Sequence, residues 1–392
     1  MIPLMKTTFF DEQNSKKELA NFILEADILS MSQKCNEFEK EFSQYNNSKE
    51  SILFNSGGSA NLALLQALKN LGRLKDGDKV GFSALTWSTN VMPIIQLGMV
   101  PVAIDIDITT LNIMSKNLID FLKNNSIKAL FITNALGFAG DLNLIKNICS
   151  DNNIILIEDN CEALGTEIGN KKTGTFGVAG THSFFVAHHM STIEGGMVST
   201  DDEELSNMLK IVRANGWDRN LSSLEQNRLR TEYEIKSDFD SKYTFYDLGF
   251  NLRPTEITGF LGLQQIKFLE KNVLKRQENH KIIEKNLLKN DELIYIQYDH
   301  INLLSSFAFP VIAKDKFLKS KYAKKFENAG VEIRPIISGN MERQPFYKKY
   351  VNNIAGLPNA DFIHDNGFYF GNYPELDSLD LEVLCKCLEK DL

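Results

Sequence analysis

The chain has 392 residues, of which 43% are hydrophobic and 24% charged, and these are the proportions of an ordinary soluble globular protein. Its net charge of -8, without any run of lysine and arginine, argues against nucleic-acid binding. It has no signal-peptide pattern and no apolar stretch long enough to cross a bilayer, which predicts a cytoplasmic protein without a membrane partner. Five scattered cysteines predict free thiols rather than a disulfide framework or a metal site.

The first 45 or so residues have helical apolar spacing, and from Ser51 onward short β-rich runs alternate with amphipathic helices. We predict strands at 51–54, 80–82, 100–104, 129–133, 154–157 and 182–185, with helices at 60–71, 90–97, 118–123 and 142–151. This alternation predicts a mostly parallel sheet covered by helices on both faces. Such sheets bind ligands at the carboxyl ends of their strands.

The turn after the first predicted strand reads Asn-Ser-Gly-Gly-Ser-Ala and opens a helix. Residues as small as Gly57 and Gly58 let the backbone approach a ligand closely, and free N–H groups at a helix start attract an anion. The alternative is a simple turn with Ser59 as the helix N-cap. After the second strand, Trp87 stands among hydroxyl residues at another strand-to-helix junction, where a core tryptophan is the alternative.

Two further strands also run into polar residues. The strand at 154–157 continues into Glu-Asp-Asn-Cys-Glu, which places Asp159 and Glu162 at the edge of the sheet where ligands bind. For Glu158, an exposed acidic turn is a reasonable interpretation. The segment 180–200 presents Ser183 and two adjacent histidines, His188 and His189, before a Glu-Gly-Gly sequence. Adjacent histidines in such a polar setting do not suit a buried core, so this segment predicts an active site.

Together these motifs resemble those of the sugar aminotransferase family of the DegT/DnrJ/EryC1/StrS type, and the resemblance extends over nearly the whole chain. It implies an α/β fold like that of aspartate aminotransferase. A large cofactor-binding domain with a mostly parallel sheet would span 1–245 and a smaller C-terminal α/β domain 246–392, with the N-terminal residues able to pack on the small domain. The resemblance also implies that pyridoxal phosphate binds here. The implied cofactor-binding residues are Gly57, Gly58, Ser59 and Ser183 for the phosphate, Trp87 stacked on the ring, Asp159 at the ring nitrogen, and Glu162 near the phenolic oxygen.

His188 occupies the place of the lysine that holds pyridoxal phosphate covalently in this family. The replacement resembles the histidine-bearing ketosugar 3-dehydratases within the family, and so does Glu162, where most of the aminotransferases have glutamine. It implies that pyridoxal phosphate and its aminated form, pyridoxamine phosphate, are bound non-covalently, with His188 as the catalytic base. His189 is assigned to support or to substrate contact. Lys171 and Lys172 offer another point of covalent attachment, but the family has a surface hairpin there.

The second half of the chain begins with a polar and charged stretch of poor periodicity at 217–246, which we predict to be a long connection. A helix at 257–288 follows. Beyond it, strands are predicted at 307–311 and 331–334 and helices at 317–329 and 379–388. These elements predict a small α/β domain.

Several residues of this half resemble substrate-binding positions of the family. Gly-Phe-Asn-Leu-Arg-Pro-Thr-Glu at 249–256 resembles a signature whose asparagine reaches the phosphate in the neighbouring subunit, so Asn251 implies a homodimer with shared active sites. Arg219 or Arg253 could hold the carboxylate of glutamate, and the sequence does not choose between them. The stretch from Arg334 through Asn340 resembles a loop that descends toward the substrate.

The resemblance implies a dehydratase that removes the hydroxyl at carbon 3 of a nucleotide-linked 4-ketosugar. One kind of 3-dehydratase acts on CDP-sugars and carries an iron–sulfur cluster on four cysteines, which the scattered thiols here do not supply. The cluster-free kind acts on GDP-4-keto-6-deoxymannose, and glutamate re-aminates its cofactor, so we expect that substrate and that amino donor. The alternatives are an aminotransferase with a histidine base and a non-catalytic member that has lost its lysine.

Overall fold

The structure is a computed structural model that describes residues 1–391. Its strands, in chain order, are β1 (Glu50–Phe54), β2 (Lys79–Ser83), β3 (Val100–Ile104), β4 (Ala129–Thr133), β5 (Ile155–Asp159), β6 (Glu167–Ile168), β7 (Lys171–Lys172), β8 (Ala179–Ser183), β9 (Gly196–Thr200), β10 (Leu293–Ile294), β11 (Ala308–Ala313), β12 (Ile333–Arg334) and β13 (Gly367–Gly371). Its helices are α1 (Glu12–Glu25), α2 (Gln33–Asn46), α3 (Gly57–Asn70), α4 (Met92–Gln96), α5 (Ser115–Leu122), α6 (Leu142–Asp151), α7 (Glu203–Arg213), α8 (Ser223–Glu232), α9 (Asp238–Ser241), α10 (Glu256–Leu287), α11 (Lys316–Asn328), α12 (Pro345–Tyr350), α13 (Pro358–Asn366) and α14 (Ser378–Leu388).

A seven-stranded sheet with the order β1-β9-β8-β5-β4-β2-β3 forms the centre of the molecule. The pairs among β3, β2, β4, β5 and β8 are parallel, and only β9 runs antiparallel to its neighbours β1 and β8. All five residues of β4, Ala-Leu-Phe-Ile-Thr, are buried, which is typical of a parallel strand covered on both faces. The predicted α/β fold with a mostly parallel sheet is therefore confirmed.

A smaller antiparallel sheet with the order β10-β11-β13-β12 packs with α10, α11 and α14. The amino-terminal residues join this part of the chain, because Ile2 pairs with Val331 beside β12. Phe22 of α1 also stacks on Phe260 of α10 with ring centroids 4.4 Å apart. Buried side chains such as Ile312 and Ile363 belong to the same apolar core as the large sheet. The division at residue 245 stays a prediction.

Two local predictions were wrong. The stretch 217–246 contains α8 and α9, although α8 buries only Leu229 and so carries almost no apolar periodicity. The strand predicted at 182–185 ends at Ser183, and Phe184 packs against Phe38 and Phe42. The strand β13 was not predicted. Among residues 1–391, no helix is both long and apolar enough to cross a membrane.

Candidate active site

A cavity of about 380 Å³ lies at the carboxyl edge of the large sheet, and we call it the main cavity. Its volume is within the range of small-molecule sites. Residues at the ends of five strands line it: Ser56, Gly57 and Gly58 after β1, Trp87 and Thr89 after β2, Thr133 of β4, Asp159 of β5 and Ser183 of β8. The cavity thus lies at the edge where parallel sheets bind ligands.

The turn between β1 and α3 brings the backbone very close to β8. A Cβ added to Gly57 would lie 2.7 Å from Cβ of Ser183, a separation that real Cβ atoms do not reach. Ser56 is the N-cap of α3, since its Oγ accepts from the N–H of Ser59 at 3.1 Å, so the alternative role of Ser59 as N-cap is wrong. Gly57 and Gly58 line the main cavity at the start of the helix, whereas Ser59 does not. Such a helix start binds anions such as phosphate.

Asp159 is 5% exposed, and three donors orient its carboxylate. Its Oδ2 accepts from Nδ2 of Asn61 at 3.1 Å and from Nδ2 of Asn90 at 2.7 Å, and its Oδ1 accepts from the N–H of Cys161 at 2.9 Å. Trp87 lines the same cavity and is 55% exposed, so it is not the core tryptophan that was the alternative. The cavity therefore has an anionic group and an aromatic face.

Two further acidic residues, Glu158 and Glu162, flank Asp159 in the sequence, but only Glu162 lines the main cavity. Glu158 is fully buried and accepts from the N–H groups of Gly174 and Gly177 at 2.7 and 2.9 Å, so the interpretation of an exposed turn is wrong for it. Glu162 lines the main cavity, and its Oε2 accepts from the N–H of Leu136 at 2.9 Å. Burial, reinforced by the charge of Asp159, raises the pKa of Glu162 to about 7. This carboxyl can hold a proton near neutral pH.

His188 lies in the turn after β8 and lines the main cavity. Its backbone N–H donates to the carbonyl of Phe185 at 2.9 Å. The centroid of its ring lies 5.3 Å from that of Phe307. Burial lowers the pKa of His188 to about 4, and the hydrogen bond from the ring to the backbone carbonyl of Cys161, together with the charge of Asp159, only partly opposes the shift. The imidazole is therefore neutral at neutral pH, which is the form that accepts a proton.

His189 points away from the main cavity and is 3% exposed. Its Nε2 lies 2.9 Å from the carbonyl oxygen of Ser305, and burial lowers its pKa well below the ordinary value. A neutral ring whose Nε2–H donates to a backbone carbonyl is anchored to the protein. Of the two roles predicted for His189, support is the one that fits this position, and contact with a ligand in the main cavity is not.

Three residues predicted to bind substrate or cofactor line a different cavity of about 370 Å³, which we call the surface cavity. Arg219 lies with its guanidinium 4.0 Å from the ring centroid of Trp217, and Nε of Arg253 donates to Oδ1 of Asn251 at 3.0 Å. The main and surface cavities have no lining residue in common. A single chain thus does not bring Asn251 or either arginine together with His188.

The two remaining predicted substrate residues do not line the main cavity either. Arg334 is exposed and forms an ion pair with Glu332. Asn340 is 2% exposed, and its Nδ2 donates to Asp361 of α13 at 3.0 Å, so it anchors its loop to that helix. The loop does reach the cavity, but through Ile337.

The cavity also contains residues that the sequence did not indicate. Tyr369 of β13 is one of them, and burial together with the charge of Glu162 raises its pKa to about 12. Glu194 of the Glu-Gly-Gly sequence is another, and its position in that motif was the available signal. No lysine is among the lining residues of the main cavity. Lys171 and Lys172 form the hairpin strand β7, and Nζ of Lys172 lies 3.4 Å from Glu167.

All five thiols within residues 1–391 are free, and this part of the chain contains no group of three or more histidine, cysteine or acidic side chains arranged to hold a metal.

Known proteins similar to this chain were found by sequence and by structure. The GDP-4-keto-6-deoxy-D-mannose 3-dehydratase of Yersinia pseudotuberculosis is 35% identical over 374 residues, which cover 94% of each chain. A crystal structure of a GDP-4-keto-6-deoxymannose-3-dehydratase with a trapped PLP-glutamate geminal diamine matches with a TM-score of 0.90 at 32% identity, over 99% of this chain and 100% of that one. The Escherichia coli GDP-4-keto-6-deoxy-D-mannose-3-dehydratase with bound hydrated PLP matches with a TM-score of 0.90 at 32% identity, over 99% of each chain.

The model of the DegT/DnrJ/EryC1/StrS aminotransferase family matches residues 11–389, which is almost the whole chain. The fold of the large sheet and the polar cavity at its carboxyl edge agree with that match. The chain therefore belongs to the DegT/DnrJ/EryC1/StrS aminotransferase family and has the aspartate-aminotransferase-like fold that its sequence predicted.

Proposed function

We propose that the protein is a pyridoxal phosphate-dependent 3-dehydratase that removes the hydroxyl from carbon 3 of GDP-4-keto-6-deoxymannose. The observation that carries the proposal is a main cavity that contains His188 beside the buried Asp159 but no lining lysine. The related dehydratases, about one third identical over nearly the full chain, support the same substrate. Glutamate would supply the amino group. The overall change is ketosugar plus glutamate to 3-deoxyketosugar, 2-oxoglutarate and ammonia, which balances without another reductant.

The residues of the main cavity fit pyridoxal phosphate. The start of α3 at Gly57 and Gly58 offers backbone N–H groups to the phosphate, and Ser183 lies against this turn. Asp159 is suited to hold a protonated ring nitrogen because its carboxylate is buried and oriented by two asparagines. Trp87 offers an aromatic face. When bound, the cofactor supplies an electron sink that makes loss of a proton and of a neighbouring hydroxyl feasible. Non-covalent binding follows because no lysine reaches the cavity.

His188 is the proposed base. Its neutral imidazole can accept a proton at the reacting centre, because burial holds its pKa at about 4. Once charged in this poorly solvated place, the ring is a strong acid. It can then return the proton to the departing hydroxyl, which leaves as water. A lysine at the same position would instead be occupied in holding the cofactor.

The position of Glu162 beside the proposed base fits this assignment. With a pKa of about 7, Glu162 can act as a donor or an acceptor of a hydrogen bond in the same pH range. A glutamine, which most of the family's aminotransferases have at this position, keeps a fixed donor and a fixed acceptor. We propose that Glu162 adjusts its proton to the charge of the bound cofactor beside it.

We also propose that two chains form a homodimer in which each active site uses residues of both. The surface cavity supports this, because Asn251, Arg219 and Arg253 lie together but apart from His188. Large apolar side chains are exposed in the same part of the surface, with Tyr243 at 70% exposure, and a partner chain would cover them. Either arginine could bind the carboxylate of glutamate or a substrate phosphate. The free thiols fit a reducing compartment, and we propose the cytoplasm.

The test is to incubate the purified protein with pyridoxamine phosphate, glutamate and GDP-4-keto-6-deoxymannose and to measure product masses. We expect a nucleotide sugar that has lost one oxygen, with ammonia and 2-oxoglutarate in equal amounts, and no product from the His188→Asn variant. A sugar that gains an amino group would identify an aminotransferase instead. A requirement for iron and an electron donor would contradict the cluster-free reaction, and cofactor binding without any turnover would support a non-catalytic protein.

A further inference from the structure

A second, narrow cavity of about 40 Å³ adjoins His188, and we call it the rear cavity. His188 is the one residue that lines both the main and the rear cavity. His189, the amino-terminal segment around Phe10, and Asn272 and Arg276 of α10 also line the rear cavity, as do the polar side chains of Ser191, Gln265 and Glu375. An ordered water needs on the order of 10–15 Å³ by the same measure, so there is room for water.

Four buried polar atoms belong to side chains of this cavity and have no hydrogen-bond partner among residues 1–391. They are Nδ1 of His188, Nδ1 of His189, Oδ1 of Asn272 and Nε of Arg276. The side chains of His189, Asn272 and Arg276 are at most 6% exposed. An unpaired buried polar atom costs about 1–3 kcal/mol, so four at one cavity indicate a shared partner rather than four separate defects.

The two residues of α10 reach the cavity because they are four positions apart, which places them on one face of the helix. The Nη1 group of Arg276 donates to the backbone carbonyl of Phe307 at 3.1 Å and also to that of Asn372, so its position is held while its Nε remains unpaired. Burial lowers the pKa of Arg276 to about 10, which keeps the guanidinium charged at neutral pH. Nε–H of Arg276 is therefore always a hydrogen-bond donor.

The donor and acceptor roles of three of the four atoms follow from their surroundings. Nε of Arg276 is a donor, and Oδ1 of Asn272 is an acceptor. His189 is neutral and donates from Nε2 to the carbonyl of Ser305, so its Nδ1 carries a lone pair and is an acceptor. A water molecule accepts two hydrogen bonds and donates two. Of the four groups that could bind such a water, one donor and two acceptors are thus identified. The fourth group should be a second donor.

We propose that ordered water in the rear cavity joins these four atoms and holds His188 in the tautomer with its proton on Nδ1. His188 Nδ1–H is the second donor that completes the set. This tautomer leaves the lone pair of the ring on Nε2, and of the two ring nitrogens only Nδ1 is buried without a partner. The backbone carbonyl of Cys161 also accepts a hydrogen bond from this ring, so it is the partner that competes with the water for the ring proton. Asn272 and Arg276 are then positioning residues for the base: they act on His188 through water and touch neither substrate nor cofactor. The catalytic consequence rests on the proposed function, whereas the tautomer does not.

The direct test is nuclear magnetic resonance of the cofactor-free protein labelled with ¹⁵N-histidine. Two-bond ¹H–¹⁵N correlations report which ring nitrogen carries the proton, and the signal of His188 is the one lost in His188→Asn. We expect the Nδ1–H tautomer in the native chain. Finding the Nε2–H tautomer there would overturn the proposal, whatever the protein's catalytic activity.

Variants test the part played by α10. Asn272→Leu removes the acceptor and should move His188 toward the Nε2–H tautomer, whereas Asn272→Asp keeps an oxygen acceptor and should retain Nδ1–H. Asn279→Leu is the matched control: Asn279 is a fully buried asparagine of α10 that donates to the carbonyl of Tyr373 at 3.1 Å and lines neither cavity. It should lose stability without changing the tautomer. An unchanged tautomer in a folded Asn272→Leu protein would contradict the water link.

Two further measurements separate this proposal from the proposed function. A high-resolution crystal structure should show water oxygen density within hydrogen-bond distance of the four atoms, and a dry cavity or a bound anion would overturn the inference. In the dehydratase assay, Asn272→Leu should lower kcat by about 10-fold with little change in KM, which is less than complete loss of a general base costs. If the native chain shows the Nδ1–H tautomer but no dehydration, only the proposed function fails.

Discussion

The carboxyl of Glu162 allows a quantitative prediction for the cofactor-free protein. Burial and the charge of Asp159 raise its pKa from 4.5 to about 7 in the folded chain. The folded protein therefore keeps this proton at pH values where the unfolded chain has already released it. The stability that the neutral carboxyl contributes is fully present below pH 4.5 and is lost as the pH rises through 7. Glu162→Gln cannot ionise and can still accept from the N–H of Leu136, so it should avoid this loss.

The size of the effect follows from linkage between protonation and folding. A difference of roughly 2.5 pKa units, at about 1.4 kcal/mol per unit, sets a ceiling of about 3.5 kcal/mol at high pH. At pH values below the pKa that Glu162 has in the folded chain, only part of this stability is lost. The unfolding free energy of Glu162→Gln relative to the native chain should therefore increase by about 2–3 kcal/mol between about pH 5 and pH 8.

Equilibrium urea denaturation at several pH values measures this difference. Both proteins must be compared at one protein concentration, because the stability of the proposed dimer would depend on it. Glu41→Gln, at an exposed position of α2, is the control and should differ from the native chain by the same small amount at every pH. If the difference for Glu162→Gln stays within about 0.5 kcal/mol over the whole range, burial does not control this carboxyl and the reasoning is refuted.

Three further predictions concern the cofactor and the partner chain. His188→Lys should form a pyridoxal phosphate adduct that borohydride fixes and intact mass detects, whereas an adduct on any lysine of the native protein would contradict non-covalent binding. Gly57→Ala should weaken cofactor binding by roughly 5- to 150-fold in a spectroscopic titration, because overpacking costs about 1–3 kcal/mol. The Cβ that this variant adds would lie 2.7 Å from Cβ of Ser183. The matched Gly58→Ala variant, whose closest contact is at 3.1 Å, should lose less cofactor affinity. An equal loss of affinity in both variants would show that packing is not the cause. Homodimers of His188→Asn and homodimers of Asn251→Asp should both be inactive. Subunit exchange between the two should restore activity toward half of the native value per heterodimer. If exchange is confirmed but activity does not recover, Asn251 acts in the active site of its own chain.

The sequence by itself determined the parts of this protein that depend on short-range patterns. Apolar runs alternating with amphipathic helices predicted the parallel sheet. The turn of small residues around Gly57 predicted that a helix starts at the carboxyl edge of this sheet. Asp159 and His188 were placed at that edge because polar residues follow apolar strands there, and the family resemblance gave their roles. In each case the signal is within about ten neighbouring residues, where strand and helix periods constrain the chain.

The tertiary structure alone decided everything that depends on contacts between distant segments. Tyr369 reaches the main cavity from β13, and Asn61 and Asn90 orient Asp159 from α3 and from the turn after β2. The pKa of Glu162 depends on burial, which no local pattern reports. The rear cavity brings α10 against His188 although Arg276 is 88 positions away in the numbering. Such contacts arise when whole elements pack together, and single buried polar residues leave no periodic signal in the sequence.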